Sequence, residues 1–197
     1  MDIAAEVNSI RRLVHGRAVV AGRTYDASPG EIWQACTDPA RLAQWFLPVT
    51  GDLRQGGTYQ LEGNAGGRIL VCDPPRVLRI SWLFGSGPGS VLEVRLTPLN
   101  SGTILELEHS ELTDDQHWSQ FGPGAVGVGW DLTLFGLALH VFGVANPEGW
   151  ASSAEAREFM TQSAKAWGAA HVQSGEEPAR AVAAAQRTQA AYVPSHG

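Results

Sequence analysis

Cysteine is scarce in this chain. Its 197 residues include two, Cys36 and Cys72, far apart and without a C-x-x-C pair, so neither a disulfide framework nor a zinc site is indicated. Both are expected to be inert buried thiols. An excess of basic charge is also missing. The formal net charge of −6 argues against general nucleic-acid binding, which relies on a basic footprint. No signal peptide is expected, because Asp2, Glu6, Arg11 and Arg12 stand where its apolar core would have to lie. No segment reads as a membrane span, and no internal repeat is present. No cofactor is indicated. These absences point to a cytoplasmic chain with one main domain, long enough to bury about 70% of its unfolded surface without staples.

What is present is organised around residues 129–144, GWDLTLFGLALHVFGV. At about 100° per residue, Trp130, Leu134, Leu137, Val141 and Val144 fall on one stripe. Leu132, Phe135, Leu139 and Phe142 extend the apolar surface, while Thr133, Gly136, His140 and Gly143 gather on a narrow strip. A helix apolar over most of its circumference is a buried helix. This one is shorter than the roughly 20 apolar residues of a bilayer span and is interrupted by Asp131 and His140. Something must therefore wrap it.

The preceding chain supplies the wrapping. Ile3, Val7, Ile10 and Val14 stand at helical spacing, predicting an N-terminal helix over residues 2–15 with Arg11 and Arg12 on its wet side. Residues 17–25 read as a strand. Ser28, followed by Pro29 and Glu31, is a helix start with a capping-box pattern, and Asp38-Pro39 opens a second helix that Pro48 stops. The period then changes to two. Residues 57–63, 67–72, 77–84, 91–97 and 103–109 read as strands separated by Gly- and Pro-rich turns, which makes a meandering antiparallel sheet. A glycine-rich stretch, 121–129, reads as a flexible entrance loop. It contains G-x-G-x-x-G, but Pro123 and the antiparallel context exclude a dinucleotide fingerprint. Beyond Asn146-Pro147 two further helices are expected. The first puts Phe159, Met160, Ser163, Trp167 and Ala170 on one face, and the second is alanine-rich and ends near Tyr192. They pack either on their own domain or on a second copy of the chain. The divisions are a helix at 1–16, a domain at 17–147 and a helical extension at 148–197, in the α+β class.

Several pieces fall in a familiar order: Arg23-Thr24-Tyr25-Asp26-Ala27-Ser28-Pro29, Glu31-Ile32-Trp33, Thr37-Asp38-Pro39, Trp45-Phe46, Gly56-Gly57-x-Tyr59, Asp73-Pro74-Pro75-Arg76, Gly102-Thr103-x-Leu105-x-Leu107-x-His109 and Gly129-Trp130. Over about residues 18–145 this resembles the START-like (SRPBCC) superfamily, and within it the bacterial homologues of the activator of the heat-shock-protein-90 ATPase. The resemblance implies a helix-grip fold, a curved antiparallel sheet around a long C-terminal helix with a cavity between them. It also implies binding of a hydrophobic or amphipathic small molecule. A co-chaperone-like module with a chaperone partner, and a polyketide cyclase- or hydrolase-like enzyme, are the alternatives. A homodimer through the C-terminal helices is a further expectation.

The cavity candidates are Trp45, Tyr59, Leu61, Trp82, Phe84, Leu105, Leu107, His109, Trp130, Asp131, Leu134 and Leu137. The rings either line a pocket or fill a core. His109 shares strand parity with Leu105 and Leu107. It is either a ligand contact or general base, as is Tyr59 in the enzyme reading, or a structural histidine bonded near Trp130. Asp131 is placed in the first helical turn, either complementing the helix dipole or anchoring a ligand at the cavity mouth. His140 faces a strand or a ligand, and His117 lies in a mobile, solvated stretch. No metal site is indicated, because His109, Glu111 and His117 match no usual ligand spacing.

Overall fold

The computed structural model describes residues 2–144 and 149–193. It begins with a short helix, α1 (Ile3–Asn8), whose first turn is capped by the Asp2 carboxylate accepting from the Ala5 N–H. The helix does not continue to residue 15. The chain turns at Ser9 into a strand, β1 (Ile10–His15), paired with β2 (Ala18–Tyr25). Ile10 and Val14 suit either a helical or a period-two pattern, and pairing with β2 decides between them. Ile10, Arg12 and Val14 turn inward while Arg11, Leu13 and His15 stay exposed. Arg12 is thus enclosed, with its side chain 7% exposed, and does not lie on a wet helix face.

Two helices follow β2, namely α2 (Pro29–Thr37) and α3 (Pro39–Trp45). Each starts as the sequence indicates. Ser28 accepts from the Glu31 N–H, Asp38 accepts from the Arg41 N–H, and a proline occupies each first turn. The remaining strands are β3 (Val49–Gly51), β4 (Thr58–Leu61), β5 (Gly66–Asp73), β6 (Val77–Trp82), β7 (Ser90–Leu99) and β8 (Gly102–Ser110). β3 is absent from the sequence reading because three residues are too few to show a period. All eight strands form one antiparallel sheet in the order β1-β2-β8-β7-β6-β5-β4-β3. A register irregularity in β5 between Ile69 and Val71 bends the strand.

The stretch taken as an entrance loop is mostly helical. After α4 (Asp115–Phe121), which also carries the exposed His117, α5 runs from Gly124 to Val141. Its early glycines are packing residues. A Cβ on Gly127 would fall inside the Trp167 indole, and one on Gly124 would sit 2.6 Å from the Thr188 hydroxyl. The far end closes three residues earlier than the apolar pattern implies. Gly143 has φ +67, its N–H donates to the His140 carbonyl, and the Val144 N–H donates to the Leu139 carbonyl. This is a Schellman stop, which needs the left-handed conformation glycine adopts readily. Phe142 and Val144 are consequently exposed.

Two more helices complete the chain, α6 (Ala154–Gln173) and α7 (Pro178–Tyr192). The boundary expected at Pro147 lies outside the described residues. α6 packs on α5, α1 and β1, and α7 packs on α6, α4 and α5. The extension is therefore part of the same core, with Phe159 and Trp167 fully buried. This explains why α5 is apolar all round. Trp130, Leu134 and Leu137 face the sheet, while Gly127, Asp131 and Phe135, one helical turn apart, face α6 and the turn before it. The 18-residue α5, with a mean hydropathy of 1.4, is by length and composition alone long and apolar enough to cross a membrane. Its packing between the sheet and α6 is that of a core helix. The Tyr25 hydroxyl donates to the Leu134 carbonyl at 2.9 Å and ties β2 to α5.

Candidate ligand-binding site

Between the concave face of the sheet and α5 lies an inner cavity of about 150 Å³. Strand parity supplies one wall. β4 contributes Tyr59 and Leu61, β6 contributes Trp82, and β8 contributes Leu105 and Leu107. The opposite wall is Trp130, Leu134 and Leu137 of α5, and Trp45 of α3 closes the end. Nine of the twelve sequence candidates therefore meet around one space. The sequence reading missed Leu92 and Val94, which belong here because they pair across the sheet with His109 and Leu107. Only the register reveals that they share the face. Both cysteines also line this cavity, and burial pushes the Cys36 thiol up to about 12. The lining is almost wholly hydrocarbon and aromatic. A cavity of about this volume lined by such side chains accepts a single aromatic ring.

Tyr59 does not present a free hydroxyl. Its O–H donates to the Ser81 carbonyl at 2.9 Å, and burial raises its pKa well above the usual phenol value.

His109 lies beside this cavity, not on its wall, and is held on both nitrogens. The Trp130 indole N–H, which can only donate, meets Nδ1 at 3.1 Å, so Nδ1 is the acceptor. Nε2 then carries the proton and donates to the Ser90 hydroxyl at 2.7 Å, which in turn donates to the Trp82 carbonyl at 3.1 Å. Burial lowers the imidazole pKa to about 4, so the ring is neutral at physiological pH. Trp82, His109 and Trp130 stand edge to face with centroid separations of 5.2–5.9 Å. The bond to Trp130 makes His109 the structural histidine of its two readings. Ser90 is not an activated nucleophile, because its proton is not aimed at a basic nitrogen.

Asp131 lies elsewhere than the sequence implies. It is the eighth residue of α5, not part of the first turn, and it points away from the cavity toward α6. One carboxylate oxygen, Oδ2, accepts from Arg12 Nε at 2.8 Å, the Ser163 hydroxyl at 2.5 Å and the Trp167 indole N–H at 3.1 Å. The other oxygen is buried without a partner among the described residues. Burial raises the Asp131 pKa, and Arg12 with the donated hydrogen bonds offsets part of that rise. The residue ties β1, α5 and α6 together and faces away from the cavity.

Phe84 is also outside the inner cavity. It is 61% exposed on the turn between β6 and β7 and lines a second, more open chamber of about 430 Å³. This outer chamber adjoins the inner one, sharing Phe46, Trp82, Trp130 and Thr133 as a common partition. His109, Ser90, Asn64 and Tyr192 of α7 complete its wall. His140 lies in neither space. It stacks on Trp45 with its Nε2 3.4 Å from Arg41, and burial together with that guanidinium lowers its pKa. Among the described residues no group of three metal-ligating side chains is assembled.

Comparison with known proteins places this geometry in a family. A family model described as Activator of Hsp90 ATPase homolog 1-like protein matches residues 26–141. The crystal structure of CalU16 from Micromonospora echinospora is 36% identical, with a TM-score of 0.68 over 82% of this chain and 97% of that one. The solution structure of CalU16 gives 34% identity and a TM-score of 0.72 over 84% and 97%. That coverage exceeds the family match, so the likeness reaches beyond residues 26–141. The uncharacterized protein C1711.08 of Schizosaccharomyces pombe is 34% identical over 77 residues, which are 38% of this chain and 23% of the yeast protein. The chain thus aligns with about a quarter of that relative's length. The helix-grip sheet, the long core helix and these matches together show that the chain belongs to the Activator of Hsp90 ATPase homolog 1-like family of the START-like superfamily.

Proposed function

We propose that the protein binds a hydrophobic or amphipathic small molecule in the space between the sheet and α5. The observation that carries this is the inner cavity, whose wall is nearly all apolar yet is not filled by its own side chains. Transfer of a ligand's apolar surface into it is favourable by about 25 cal/mol per Å². The aromatic partition of Trp82 and Trp130 adds ring faces and edges for an aromatic guest. An acid–base role for His109 or Tyr59 has no support in this arrangement, because both imidazole nitrogens and the Tyr59 proton are already committed to protein partners.

Native mass spectrometry of freshly purified protein, followed by denaturing extraction, tests the proposal. A stoichiometric hydrophobic molecule is the supporting result. The matched variant Leu137→Trp fills the cavity and should lose the ligand while keeping the fold. Empty protein that also takes up no fluorescent hydrophobic probe would overturn the reading.

A protein-interaction role of the kind the family description names is the second reading. It is supported by Leu83 and Phe84, exposed side by side at 47% and 61% on the β6–β7 turn. Stimulation of a purified heat-shock-protein-90 ATPase that disappears in the double variant Leu83→Ser, Phe84→Ser would favour it. No stimulation would remove it.

A further inference from the structure

The outer chamber has a chemistry distinct from the inner cavity. Neither space is lined by Lys, Arg, Asp or Glu among the described residues. The one basic side chain on either wall is His109, and both its nitrogens are taken. Yet the outer wall carries polar groups among its aromatic and aliphatic ones. The hydroxyls of Thr133, Ser90 and Tyr192 each donate their proton to a backbone carbonyl, of Gly129, Trp82 and Ala125 respectively. What they can offer a guest is acceptor lone pairs. Donors come from two other groups. The Trp82 indole N–H has no acceptor among the described residues, and the Asn64 carboxamide spends its oxygen on the Ala65 N–H and keeps its amino hydrogens.

We propose that the outer chamber is a second binding site, adjoining the inner cavity at Phe46, Trp82, Trp130 and Thr133, for the uncharged polar head of an amphipathic ligand. The head is a hydroxyl, phenol or carboxamide, bound in preference to a carboxylate. This rests on the reading of the inner cavity as a ligand site. A neutral head that both donates and accepts meets partners on this wall. An ionised carboxylate would give up part of its water on entering and find no cation on this wall, which is unfavourable. The chamber's volume of about 430 Å³ is large enough for a polar substituent with an ordered water beside it. Tyr192 also gives α7 a part in the site, so the helical extension shapes the ligand as well as the core.

The test compares three one-ring ligands of one shape, phenol, benzoate and toluene, by isothermal titration at neutral pH. Phenol is expected to bind at least about tenfold tighter than benzoate. Asn64→Lys, which adds a cation to the outer wall, should shift the preference toward benzoate by at least about tenfold. Phe84→Lys, at an exposed position on the same chamber, serves as a second variant if Asn64→Lys does not fold. Toluene binding with benzoate equal to or tighter than phenol, or a ratio untouched by the folded lysine variants, would overturn the outer site and leave the inner one standing. Failure of all three ligands to bind would overturn both.

Discussion

The indole N–H of Trp130 donates to Nδ1 of His109 across 3.1 Å, and this bond fixes the tautomer of the ring and the position of the wall between the two chambers. Replacing His109 by Leu leaves the Trp130 N–H without its acceptor, while the Ser90 hydroxyl keeps the Trp82 carbonyl. We expect a loss of about 1–3 kcal/mol in chemical denaturation, the usual result when buried polar groups are orphaned.

The same histidine gives a pH dependence with a definite sign. Its folded pKa of about 4 lies below the ordinary value of 6.5, so the unfolded chain binds the proton more readily. Its contribution is fully present above pH about 6.5 and is lost as pH falls toward about 4. Thermal melts of the wild type and His109→Leu at several pH values should converge as the pH drops through that window. Parallel curves would show that His109 is not the group responsible.

Asp131 and Arg12 form a buried pair, 2.8 Å apart, that joins the first strand to the core helix. Asp131→Ala should cost about 3–5 kcal/mol, because it strands the Arg12 guanidinium. The double variant Arg12→Met, Asp131→Leu removes both charges and should recover much of the loss. A double variant as unstable as Asp131→Ala would show that the hydrogen bonds to Ser163 and Trp167 matter more than the charge.

Two glycines of α5 make opposite predictions. Gly127→Ala pushes a methyl into the Trp167 ring and should destabilise by about 1–3 kcal/mol. At Gly136 the nearest atom to a new Cβ is 3.7 Å away, so Gly136→Ala should stabilise by up to about 1 kcal/mol through helix propensity. Denaturant midpoints of the two single variants decide the matter.

A chain ending at Val144 lacks α6 and α7 and exposes the face of α5 that carries Asp131 and Phe135. It should lose cooperative unfolding by circular dichroism and bind a hydrophobic dye. A sharply melting truncated protein would make the extension a separate unit.

Local signals were legible and distant ones were not. Ser28 and Asp38 announce their helices because a cap needs only the next three residues. Leu105 and Leu107 share a wall because alternation is local to one strand. The place of Asp131 is not legible in the sequence because its partners lie 119, 32 and 36 residues away, at Arg12, Ser163 and Trp167. The glycines at 124 and 127 looked like a loop because Thr188 and Trp167, which require their smallness, sit on later helices. Gly143 ended the helix inside an apolar run that otherwise favoured continuation. For the site, parity along each strand was readable and register between strands was not, which is why Leu92 and Val94 were overlooked.

The sandwiching of α5 bears on the order in which the protein can be made. α5 is synthesised before α6, so its outer face waits uncovered while the following residues emerge from the ribosome. During that interval Phe135 and the Asp131 carboxylate face water, and Arg12 from the far end of the chain has no complete cage to enter. A nascent chain whose α5 has emerged while α6 is still held back therefore displays an apolar helix with a single charge in its middle, a form that sticks to other nascent chains. Slow codons placed so that α5 has emerged and α6 has not would lower the yield of soluble protein.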